Sequence, residues 1–144
     1  MPSKPKRIVL RTDGASRGNP GPSGAGAILE DAEGNLLREV SEYLGRTTNN
    51  VAEYRALLLG LRAAQEFGAE ELELRLDSEL LARQLTGRYR VKSPHLIELH
   101  REAKRLLEDY ARVDIRHIPR EANGRADRLA GRAIREHLRQ GKDG

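Results

Sequence analysis

The chain has 144 residues, 38% of them apolar and 33% charged, with a formal net charge of +4 and no cysteine. That length suits one domain with a single core, and the missing cysteines exclude disulfides, thiolate catalysis and cysteine-based zinc sites. The basic balance fits either a polyanion partner or a solubilising surface, and no run of about 20 apolar residues marks a membrane span.

Residues 1–6 read as a loose basic tail. No long apolar run follows it, so no signal peptide is expected and a cytoplasmic location is. Ile8-Val9-Leu10 opens a strand that should end in a turn at Asp13-Gly14. Arg17 to Pro22 reads as a rigid loop, because Gly and Pro forbid regular pairing. Gly24–Leu29 and Leu36–Val40 then form a hairpin across the turn Asp31–Asn35.

Thr47-Thr48-Asn49-Asn50 offers helix caps. From Val51, the residues Tyr54, Leu57, Leu58, Leu61, Ala64 and Phe67 keep helical spacing, and Gly68 marks the stop. Leu72, Leu74 and Leu76 alternate as a strand that ends at Asp77. Ser78 caps a short helix through about Leu85, and Pro94 opens another that carries Leu96, Leu99, Ala103 and Leu106. Val113, Ile115 and His117 alternate as a last strand broken by Pro119. A final helix runs from about Asn123 to Leu138, and residues 139–144 should fray. This order predicts an α/β fold: a five-stranded mixed sheet, three antiparallel strands then two parallel ones, flanked by helices.

Four carboxylates sit at element edges. Asp13 and Asp77 are expected at the C-terminal ends of strands, where ligands gather in an open sheet. Glu53 and Asp127 are expected in the first turns of their helices, where each could equally be dipole compensation. Two carboxylates about 4 Å apart repel by roughly 4 kcal/mol at an effective dielectric of 20. If the fold gathers all four, the cluster calls for divalent cations, and all-oxygen ligation suits Mg²⁺ or Mn²⁺. A pair of such ions on a basic protein points to cleavage of a nucleic-acid backbone.

The motifs that carry these acids resemble ribonuclease H of the type 1 class. They are Thr12-Asp13-Gly14-Ala15-Ser16-Arg17-Gly18-Asn19-Pro20-Gly21-Pro22-Ser23-Gly24-Ala25-Gly26, Thr47-Thr48-Asn49-Asn50-Val51-Ala52-Glu53-Tyr54, Asp77-Ser78, and Asn123-Gly124-Arg125-Ala126-Asp127-Arg128-Leu129-Ala130. The resemblance covers residues 7–138 and implies the ribonuclease H-like fold in one catalytic domain. It implies Asp13, Glu53, Asp77 and Asp127 as the catalytic, metal-binding quartet with two ions, Mg²⁺ or in its place Mn²⁺, and Asp13 bridging them. The implied reaction is endonucleolytic hydrolysis of the RNA strand of an RNA–DNA hybrid, leaving 5′-phosphate and 3′-hydroxyl ends. Ser16, Asn19, Thr48, Asn49 and Asn50 match positions that contact the hybrid, Thr48 at a DNA phosphate. A monomer with no organic cofactor and no membrane partner is expected.

Two departures from the pattern are legible. Arg116 to Asn123 leaves little room for the mobile histidine loop of many relatives, and His117 aligns with the strand. Gly87 to Ser93 is a short basic connector where some relatives insert a basic helix. The arginine-rich face of the last helix reads as a solvated surface. Two other functions stay open: a non-catalytic hybrid-binding module, and a nuclease of the same fold acting on double-stranded RNA or ribonucleotide junctions.

Overall fold

Alternating apolar residues in five segments pair into one mixed sheet, seen in a computed structural model that describes residues 4–141. The strands are β1 (Arg7–Ser16), β2 (Gly21–Asp31), β3 (Leu36–Thr47), β4 (Glu71–Leu76) and β5 (Arg112–His117), in spatial order β3-β2-β1-β4-β5. β1–β2 and β2–β3 are antiparallel, and β1–β4 and β4–β5 are parallel, as the element order predicts. The helices are α1 (Asn49–Gln65), α2 (Glu79–Leu85), α3 (Pro94–Leu107) and α4 (Gly124–Arg139), with a 3₁₀ turn over Arg120–Asn123.

The sheet's two faces are read from neighbouring residues of β2. Ala27 and Leu29 join Ile8, Leu10, Leu72 and Leu74 against Leu57 and Leu61 of α1. Ile28 points the other way, onto Ala126 and Leu129 of α4. α1 therefore covers one face with α3 packed beside it, and α4 covers β1, β2 and β3 on the other. That second core is thin because glycine makes it so. A β-carbon at Gly26 would overlap the Ala126 carbonyl, so only glycine lets the helix rest directly on the strand.

Three strand boundaries depart from expectation. β1 does not turn at Asp13-Gly14 but runs on to Ser16, paired with β2 through Ser16↔Ser23. β2 and β3 are also longer than the hairpin read from the sequence. The polar residues of β3 hide this, since an edge strand needs apolar side chains on one face only. Of the expected tails, residues 1–3 and 142–144 lie outside the described residues. The Lys6 carbonyl accepts from the amides of Glu70 and Glu71, and Arg139 closes α4.

Candidate active site

β1 pairs with β4 only as far as Thr12↔Leu76, then continues beside β2 alone. The sheet forks at that point. Asp13 is the next residue of β1, and Asp77 is the first residue beyond β4. α1 brings Glu53 to the same place. A β-carbon at Gly14 would overlap the Ala52 carbonyl, so the helix can lie against the strand here only because residue 14 is glycine. The close approach lets the Gly14 amide donate to Glu53 Oε1 at 2.8 Å.

One oxygen from each of Asp13, Glu53 and Asp77 lies within 4.8 Å of the others. Asp127 stands outside this triad, exposed in the first turn of α4, but close enough to act on Asp13. Asp13 is only 7% exposed. Burial, then the charges of Glu53 and Asp77 and the nearby Asp127 carboxyl, push it up to about 9. Burial pushes Glu53 up to about 7, against the lowering hydrogen bond from Gly14, with the Asp77 charge adding to the rise. Glu53 is not in the first turn of α1, because the helix already starts at Asn49. Its placement is therefore not helix-dipole compensation.

A partly buried carboxylate cluster without a matching cation is unfavourable, and hard divalent ions take such all-oxygen sets. The donor set fits Mg²⁺ or Mn²⁺. The nearby cation, Arg120 of the 3₁₀ turn, lowers Glu53 but is exposed, so it does not neutralise the triad.

Asn123 is one residue that sequence reasoning missed. It is fully buried, and its Nδ2 donates to the Thr12 carbonyl at 2.9 Å and to Asp77 Oδ2 at 3.0 Å. Those two acceptors fix the amide's orientation, since a flipped group would set oxygen against oxygen. Asn123 thus ties the start of α4 to both prongs of the fork. Asparagine beside a glycine at a helix start gives only a cap or turn signal in sequence, and nothing local names a partner 46 residues away.

The expected hybrid-contacting residues gather nearby. Asn19 Oδ1 accepts from the Asn49 amide at 3.0 Å. Thr48 caps α1, accepting from the Val51 amide. The Ser16 hydroxyl lies 2.9 Å from the Thr47 carbonyl. Thr48, Asn49 and Asn50 are exposed, and a groove runs from Asn19, Thr48 and Asn50 to Ser93 and His95 at the start of α3. Ser93 and His95 were not anticipated at this groove, because only the packing of α3 on α1 brings them there. His117 ends β5, paired with Leu76, and its Nε2 donates to the Asp77 carbonyl at 3.2 Å. It belongs to the strand, as its alternation indicated.

The chain is similar to known proteins. A family profile described as reverse transcriptase-like matches residues 11–133. A bifunctional protein of Mycobacterium tuberculosis is 43% identical over 129 residues, 89% of this chain but 35% of that protein, so the chain spans about a third of its length. Ribonuclease HI of Halobacterium salinarum is 43% identical over 134 residues, which is 93% of this chain and 67% of that protein. A crystal structure of LC11-RNase H1 in complex with an RNA/DNA hybrid is similar at 46% identity and a TM-score of 0.87, over 91% of this chain and 99% of that one.

Proposed function

This chain belongs to the ribonuclease H family, and from that premise we propose that residues 7–138 are an endoribonuclease domain that hydrolyses the RNA strand of RNA–DNA hybrids. The observation that carries the reading is the convergence of Asp13, Glu53 and Asp77 at the fork of the sheet, with Asp127 at its rim. A hybrid-bound relative supports the substrate class. A binding module gains nothing from three mutually repelling acids, which argues for catalysis.

Asp13, Glu53, Asp77 and Asp127 would hold two divalent ions, Mg²⁺ or Mn²⁺. When bound, such ions supply activation of the attacking water and stabilisation of the leaving oxygen, giving 5′-phosphate and 3′-hydroxyl ends. The protein's own part is orientation. Gly14 N–H and Asn123 fix one oxygen each of Glu53 and Asp77. Ser16, Asn19, Thr48, Asn49 and Asn50 form the adjoining rim, where amides read the minor groove as donor and acceptor together and Thr48 meets a DNA phosphate. His117 is held in β5 rather than on a mobile loop, and His117→Ala should leave turnover within a few fold. The domain acts as a monomer in the cytoplasm on this reading.

The test uses end-labelled hybrid, duplex RNA and duplex DNA with Mg²⁺, Mn²⁺ or chelator. Metal-dependent cutting of the hybrid's RNA strand is expected. Binding without cutting would favour a module, and faster cutting of duplex RNA would favour the same-fold nuclease with that substrate.

A further inference from the structure

Helix α4 carries five arginines and two acids, so three of the chain's four net positive charges lie on this one element. The arginines fall at positions 125, 128, 132, 135 and 139, a spacing that places them on one face. That face is opposite the buried one formed by Ala126, Leu129, Ala130 and Ala133. Four of them, Arg125, Arg128, Arg132 and Arg135, line a groove with Glu39 and Leu129.

Three observations separate this groove from an ordinary solvated surface. Arg125 and Arg128 stand in the first turns, where the helix dipole disfavours cations. Like charges three and four residues apart repel along the whole row. And acids offset only half of the groove's arginines: Arg125 pairs with Glu39 and more distantly with Glu30, and Arg132 with Glu136. Arg128 and Arg135 form no ion pair among the described residues. A row of guanidiniums with this surplus matches a row of phosphates, which each fork can grip through two N–H groups.

We propose that this face of α4 is a second nucleic-acid contact, a sequence-independent seat for the phosphate backbone of a duplex, separate from the catalytic fork. Asp127 lies off this row on the same helix. From Arg125 to Arg139 the row spans about 21 Å at 1.5 Å per residue. A duplex offers one phosphate per 3.4 Å of axis on each strand, roughly six over that length. The choice of a nucleic acid over an acidic protein rests on the hybrid-cleaving function proposed above. The seat would keep the enzyme on the nucleic acid between cutting events.

The test measures fluorescence anisotropy of a labelled 20-base-pair DNA duplex with chelator present, across a salt titration. The probe has no ribose to cut, so the measurement does not depend on catalysis. Arg128→Gln/Arg132→Gln/Arg135→Gln is compared with Arg62→Gln/Arg101→Gln/Arg105→Gln on α1 and α3, and thermal melts check that both remain folded. The α4 variant should bind about tenfold or more weakly, with the salt slope reduced by two to three at about 0.9 per lost phosphate. The lysine version of the same triple should recover most of the affinity. Equal affinity and slope in the two glutamine variants would overturn the proposal. So would poly-glutamate binding through α4 more tightly than the duplex. Failure of the wild-type chain to cut hybrid would sink the proposed function, and the anisotropy result would still stand or fall by itself.

Discussion

At the scale of the residue, the site is a balance between carboxylates that repel and the groups that hold them in place. Asp13 and Glu53 are both raised above ordinary values, so their neutral forms favour the folded state. That stabilisation is complete below the ordinary carboxylate range of about pH 4. It is lost as pH rises through about 7 for Glu53 and about 9 for Asp13. In chelator, the melting temperature should fall by about 5 °C or more between pH 5 and pH 9. Millimolar Mg²⁺ should remove most of that fall, and Asp13→Asn should flatten it. Asn123 supplies a second prediction. Asn123→Asp would set a new carboxylate against Asp77 and the Thr12 carbonyl. Turnover on hybrid should drop about 10²-fold, with weaker Mn²⁺ binding by calorimetry, whereas His117→Ala should change neither.

At the scale of the element, two contacts decide where the acids point. Gly26→Ala would push α4 off β2 and carry Asp127 away from Asp13. A loss of about 3 kcal/mol in urea unfolding is expected, together with lower activity in the protein that remains folded. Thr48→Ala removes the cap of α1 and should cost about 1 kcal/mol, with Thr48→Ser neutral. The type and order of the elements were legible because alternation and helical spacing are local. So was the meeting of Asp13, Glu53 and Asp77, since each lies in a motif. The boundaries of β1, β2 and β3 were not, because pairing partners extend a strand beyond its apolar run. The first-turn placement of Glu53 failed for a similar reason: Asn49 and Asn50 look like caps, but Thr48 takes that role and they enter the helix. Asn123, Ser93 and His95 were hidden because their partners are distant in the chain.

At the scale of the whole molecule, α4 leaves the β4–β5 end of its face uncovered, and charge fills the gap. Glu73, 6% exposed, receives Arg7 at 2.9 Å, with Arg75 and Arg116 beside it. Arg7 also reaches Glu71 and Asp114, linking three strands. Burial alone would raise the pKa of Glu73, but hydrogen bonds from Arg7 and Arg75 hold it below its usual value. Its contribution is present above the ordinary carboxylate pKa and fades as pH falls. Glu73→Gln should cost about 2 kcal/mol near neutral pH and much less at pH 3, by urea titration. The forked sheet has a consequence of its own. Asp13 and Asp77 meet only if two segments more than 60 residues apart align without error, because a slip of one residue would turn every side chain of a strand to the opposite side. Enzymatic competence is therefore a gauge of that alignment. During refolding from urea, hybrid cutting should reappear only after the distant segments lock, later than the helical signal in circular dichroism.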